Sequence, residues 1–213
     1  MRKLEGRAVP DPRQLGPAAT AAAVAALGFA VGLAGDACHV ASGTTRYEWD
    51  GVPTLWRSAI WFPFLVAGAV LAAAWVAERQ ARLPPARRRR RADVPTGAAA
   101  VLALYALTAV VHDEPATVSV TLTGALSVAI WSWWDPSPRA LLVALSAAAL
   151  GPLAEIGIVQ LGAASYAADA DELGGVAPWL PCLYFAAGAV ASRLWAALAR
   201  DGADPPAVAP GSR

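Results

Sequence analysis

Residues Val118 to Arg139 read VSVTLTGALSVAIWSWWDPSPR. The run carries no charge before Asp135, and its length is about the 20 residues a helix needs to cross a bilayer. In water such a run would require a large core to cover it. In lipid it requires only its own helical hydrogen bonds. Trp131, Trp133 and Trp134 close the run, where indole rings favour the headgroup boundary. Asp135 and Pro136 mark the exit, because Asp resists hydrocarbon and Pro cannot continue a helix.

The rest of the chain repeats this pattern. Of 213 residues, 57% are hydrophobic and only 15% are charged, against a usual charged share of about 25%. The apolar runs are 16–35, 58–77, 94–111, the stretch above, 141–166, which is interrupted by Pro152 and Glu155, and 178–198, with Arg193 near its inner end. The reading is an all-α, integral membrane bundle of six transmembrane helices. Residues 1–15 form an N-terminal segment, 16–199 the membrane domain and 200–213 a disordered Pro/Gly/Ala tail. The first apolar run is too long for a cleaved signal and is taken as a retained helix.

Charge fixes the expected orientation. The N-terminal segment, the loop with Arg87 to Arg91, the Asp135–Arg139 turn and the tail fall on one side. That side holds every Lys and Arg except Arg46 and Arg57. The other holds Asp36, Glu48, Asp50, Asp113, Glu114, Asp169, Asp171 and Glu172. Both termini are therefore expected to be cytoplasmic. The arginine run reads as a topology determinant beside anionic lipid rather than a nucleic-acid patch. Cys38 and Cys182 read as free thiols, with no disulfide framework.

A repeat lies within the chain. Asp36 is followed by Gly43-x-x-x-Tyr47, and Glu155 by Gly162-x-x-x-Tyr166, each glycine seven residues after its acid. Gly32 and Gly151 precede these acids by four. The next runs open Trp61-x-Pro63 and Trp179-x-Pro181, and both contain Ala-Gly-Ala-Val. Runs one–two and five–six point the same way, so this is a parallel repeat. It places Asp36 and Glu155 at equivalent depths.

Glu155 is a carboxylate among Leu153, Ala154, Ile156 and Ile158, which in a membrane span marks a cavity or a partner. Asp36, His39, His112, Asp113 and Glu114 gather near one face, but no spacing matches a metal motif such as HExxH. They read as solvated loop residues, with no metal and no cofactor expected. Thr123, Ser127 and Trp131 recur at i, i+4 and i+8, and with Ser119 form a stripe on the fourth run. The stripe either faces a lipid ligand or hydrogen-bonds back to its own helix.

Several motifs resemble the Insig (insulin-induced gene) family. Ala125-Leu-Ser127-x-x-x-Trp131-x-x-x-Asp135 is similar to its signature span, and Ser58-Ala-x-Trp61-x-Pro63 to its second helix. Gly162-x-x-x-Tyr166 with Trp179-Leu-Pro-Cys182-x-x-Phe185-Ala-x-Gly188 is similar to its last two helices. The likeness covers roughly residues 55 to 195. It implies a six-helix bundle that binds lipid inside the membrane, with Trp131 in the ligand pocket and Asp135 on a cytoplasmic surface for a membrane-protein partner. Animal members bind oxysterols. Here the polar pocket residue expected near the start of the fourth span falls at Val118 or Ser119, and the Ala/Arg-rich composition suggests a bacterial inner membrane. A neutral diacylglycerol-like lipid then fits better than a sterol.

The expected function is non-enzymatic binding of a neutral lipid, as a sensor or regulator, by Ser119, Thr123, Ser127, Trp131, Glu155 and Tyr166. Self-association is a further expectation, and nucleic acid is not an expected partner. The alternative is a membrane-embedded isomerase or cyclase with Glu155 and Asp36 as acid and base, helped by His39 or His112. That alternative requires these side chains to share a cavity.

Overall fold

The computed structural model describes residues 15–80, 82–83 and 88–199. The expectations for the tail and for nearly all of the N-terminal segment lie outside the described residues, as does Arg87. Among the described residues six helices are long and apolar enough to cross a membrane. They are α1 (Pro17–Ser42), α2 (Trp61–Arg79), α3 (Val94–Val110), α4 (Ala116–Trp134), α5 (Pro138–Gln160) and α6 (Leu180–Ala199). The chain is an integral membrane protein, and the start of α1 and the end of α6 fall at the same end of the bundle.

Local chemistry sets the helix limits. Pro occupies the first turn of α1, α3 and α5, where its missing N–H costs no hydrogen bond. Ser137 caps α5 by accepting from the Ala140 amide at 3.2 Å. Gly43 ends α1 in the left-handed region at φ +84°, a conformation glycine reaches without a Cβ clash. Helix α4 ends at Trp134, just before the exit read at Asp135 and Pro136, and Arg139 belongs to α5. One boundary differs from the sequence reading. Asp36 and His39, read above as solvated loop, lie in the last turns of α1 at 3% exposure each.

The sixth run is the hub of the bundle. In α6, 67% of the apolar window is buried, against 17% in both α4 and α5. Helices α1 to α5 all pack on it. Small residues permit this closeness. Gly188 lies against Ala144 and Ala147 of α5, and Gly28 against Ala67 and Val70 of α2. Helices α4 and α5 are consecutive and both lean on α6, yet they make at most marginal contact with each other. Val118, Leu122 and Leu126 of α4 and Leu145, Leu150 and Leu153 of α5 stay exposed.

The sequence reading contains no strands, and the described residues include four short ones. At the end opposite the termini, β1 (Thr45–Tyr47) pairs antiparallel with β4 (Ala164–Tyr166) in the register Thr45↔Tyr166, Arg46↔Ser165, Tyr47↔Ala164. This replaces the helix expected to continue toward Tyr166. Arg46 and Ser165 are equivalent positions of the repeat and face each other, so the ladder has a local two-fold through them. A second ladder, β2 (Thr54–Leu55) with β3 (Ser58–Ala59), turns through Trp56 and Arg57. Both turn residues have positive φ, 48° and 76°, a conformation costing roughly 1–3 kcal/mol each for such side chains.

At the terminal end, the arginine run does more than set charge. Arg89 donates to the Trp134 carbonyl at 2.9 Å and to that of Trp133, capping α4, while its guanidinium lies over both indole rings. Arg91 donates to the Leu198 carbonyl at 2.7 Å near the end of α6. Cations suit helix C-termini, where carbonyls point outward without partners.

Candidate functional site

The six residues expected to bind lipid divide between two places. Glu155 and Tyr166 belong to a cage at the hairpin end. Ser119, Thr123, Ser127 and Trp131 lie along α4.

The cage is built by the repeat. Tyr47 donates to Asp36 Oδ2 at 2.6 Å. Tyr166, at the same separation in sequence, donates to Glu155 Oε2, and Tyr184 of α6 donates to Oε1 at 2.6 Å. In each half the helix presents its acid near its end, glycine turns the chain, and the short strand brings the tyrosine back over the acid. Burial, and then the neighbouring carboxylate, push the Tyr47 and Tyr166 phenols well above their ordinary pKa. Both therefore stay protonated and act as donors. Phenol donors satisfy carboxylates that would otherwise be expensive to bury.

Asp36, His39, Thr45, Tyr105 and Glu155 line one cavity of about 20 Å³, walled by Trp61, Phe62, Ile158, Leu180 and Leu183. That is room for a water molecule, and Thr45 Oγ1 is buried there without a hydrogen-bond partner among the described residues. His39 Nε2 lies 2.9 Å from Thr108 Oγ1, whose own hydrogen goes to the Tyr105 carbonyl. His39 is thus the donor in that contact. His112 stands elsewhere, 3.7 Å from Asp169. Among the described residues no cluster of His, Cys, Asp or Glu could hold a metal ion, and both cysteines are free.

Along α4 the hydroxyl stripe faces inward, toward α6. Ser127 donates to the Cys182 carbonyl at 2.7 Å, and Ser119 bonds back to Ala116. Thr123 Oγ1 and Trp131 Nε1 are buried without hydrogen-bond partners among the described residues. The Trp131 ring meets Phe185 edge-on at 6.4 Å. One turn on, Trp134 is fully buried and donates to the Val190 carbonyl at 3.1 Å. Asp135 is also fully buried, with Oδ2 3.6 Å from Arg193 Nε. The side chain read as partner-facing therefore points into the protein. Arg139 pairs with Glu78 at 2.8 Å, tying α5 to α2.

Sequence reasoning found both acids and the Tyr47 and Tyr166 positions. It missed Tyr184, which falls opposite Val66 when the halves are aligned, so the repeat gave no hint of a phenol there. It also missed Tyr105 and Thr45, which enter the cage only through tertiary packing.

No protein-family model matches the chain. Over 169 residues it is 41% identical to the INSIG protein homolog of Mycolicibacterium vanbaalenii, covering 79% of this chain and 81% of that one. The crystal structure of MvINS, a mycobacterial Insig homolog from Mycobacterium vanbaalenii, matches with a TM-score of 0.78 at 38% identity, over 84% of this chain and 93% of that chain. A cross-linked MvINS trimer matches with the same TM-score of 0.78 and 38% identity, over 85% and 95%. With that identity sustained across most of both chains and the same six-helix bundle, this protein belongs to the Insig family.

Proposed function

We propose that this protein is a non-enzymatic binder of a neutral lipid, diacylglycerol-like or sterol-like, and works as a lipid sensor or regulator. The observation that carries this reading is the α4 flank. Thr123 Oγ1 and Trp131 Nε1 are buried there without hydrogen-bond partners among the described residues, on a helix that makes at most marginal contact with its neighbour α5. A buried unpaired donor or acceptor costs about 1–3 kcal/mol. A guest with a hydroxyl or ester between two apolar chains would recover that cost, with Ser119 and Ser127 on the same face. Glu155 and Tyr166 would supply a second polar end beyond α6.

Any membrane-protein partner that reads Asp135 would do so through the shape that the Asp135–Arg193 pair gives to the α4–α5 turn, because the carboxylate itself is covered. A cross-linked trimer of MvINS has been crystallised, and that likeness supports self-association of this chain.

Native mass spectrometry of protein purified in mild detergent tests the proposal. The expected result is a co-purifying neutral lipid whose retention drops in Trp131→Ala. An empty protein would overturn it.

A second reading, a membrane-embedded lipid-modifying enzyme, is favoured by the shared cavity of Asp36, His39 and Glu155. It requires the wild-type protein to convert an added membrane lipid extract to a product of changed mass or retention time, and Glu155→Gln to abolish that conversion.

A further inference from the structure

The Trp56–Arg57 turn is the most expensive stretch of backbone among the described residues. Two-residue hairpins with positive φ at both central positions favour Asn-Gly or other small residues. Here the positions hold Trp and Arg, the one bulky and the other long. Nothing among the described residues offsets this. Trp56 is 69% exposed and Arg57 is exposed. Among the described residues no ring, hydrogen bond or ion pair engages either side chain. The base of the hairpin, by contrast, is fixed. Ser58 and Ala59 are fully buried, and the Ile60 amide donates to the Pro53 carbonyl at 2.9 Å.

Position supplies the missing contact. The hairpin runs directly into α2, which begins at Trp61, so the tip stands at the boundary where a span enters the bilayer. The surroundings at this end are acidic: Glu48, Asp50, Asp113, Glu114, Asp171 and Glu172. Arg46 on the β1 strand and Arg57 are both exposed at this end, and Arg57 is the cation at the hairpin tip. An indole prefers the ester and glycerol layer of a leaflet. A guanidinium binds phosphate through paired N–H donors.

We propose that the Trp56–Arg57 tip is a phospholipid-headgroup site, with Arg57 on the phosphate and Trp56 lying in the glycerol layer of the leaflet at the hairpin end. The occupant is an ordinary phospholipid of the surrounding bilayer, distinct from the neutral guest proposed between the helices. The tip is held in a costly turn because that turn aims both side chains at the leaflet.

The test uses the full chain and phosphatidylglycerol as the probe. Arg57→Gln removes the charge and keeps the turn strained. Trp56→Asn combined with Arg57→Gly installs the residues the turn prefers. Both variants are expected to bind phosphatidylglycerol about fivefold more weakly, the effect of one cation at an anionic surface, as read by native mass spectrometry during titration. The double variant is also expected to melt at a higher temperature in lipid-free detergent, because its strain is relieved. Unchanged phosphatidylglycerol binding in both variants would overturn the proposal. So would a fall in oligomeric state with lipid binding unchanged, which would make the tip a protein contact instead. Retention of the neutral lipid is expected to stay at the wild-type level, so failure here is separable from failure of the sensor reading.

Discussion

In the first half of the repeat, Asp36 takes one phenol, from Tyr47; in the second, Glu155 takes two, from Tyr166 and Tyr184. The two halves share a plan of helix, acid, glycine turn, short strand and returning tyrosine, and even the same glycine contact. Gly32 packs on Val66 of α2, and Gly151 packs on Tyr184 of α6. They differ in what surrounds the plan. Helix α2 lies at the edge, with 28% of its apolar window buried against 67% for α6. The half that contains α6 carries the longer acid and the extra phenol. Glu155 is 9% exposed and Asp36 3%, so the second phenol reflects which helix packs beside the acid and not a deeper burial of the carboxyl.

The largest expected difference between the halves comes from their glycines. A methyl group at residue 151 would collide with the attachment point of the Tyr184 ring, whose far end is pinned to Glu155. A methyl group at residue 32 would meet Val66, on a helix at the edge with freedom to retreat. Gly151→Ala is expected to cost about 3 kcal/mol and Gly32→Ala about 1, within the range for overpacking. Denaturation of the detergent-solubilised variants measures both. Equal costs would mean that the edge helix is held as firmly as the hub.

A smaller effect is expected from the phenols, and in the opposite order. Tyr47→Phe strips Asp36 of its phenol, whereas Tyr166→Phe leaves Glu155 with Tyr184. The first is expected to cost about 2–3 kcal/mol and the second about 1.5, the range for hydrogen bonds to charged groups. A double-mutant cycle of Tyr166→Phe with Tyr184→Phe should show coupling, since both donate to one carboxyl.

The smallest effect concerns Thr45, whose counterpart in the repeat is Ala164. Thr45→Val removes a buried hydroxyl with no partner among the described residues and keeps its shape. It is expected to leave stability unchanged or raise it by up to about 1 kcal/mol. A loss of stability would show that an ordered water in the cavity uses this hydroxyl.

The spans were legible because each is a long apolar run with punctuation at its ends, and the acid–tyrosine spacing was legible because it recurs. Asp36 and His39 were misread as loop because charge was equated with water. Their phenol and hydroxyl partners, Tyr47 and Thr108, arrive from a strand and from another helix. The β1–β4 ladder was invisible because three-residue strands carry no measurable period, and its partners lie more than a hundred residues apart. The sparse contact between α4 and α5 left no trace in composition, since consecutive apolar runs joined by a short turn read as packed neighbours.

The two ends of the bundle are fastened in different ways. At one rim β1 and β4 tie α1 to α5; at the other, Arg89 grips the close of α4, Arg91 reaches α6, and Arg139 binds α5 to α2. With both rims laced, the neutral guest proposed above would have to enter along the α4 flank, in the plane of the bilayer, and would exchange with the membrane rather than with water.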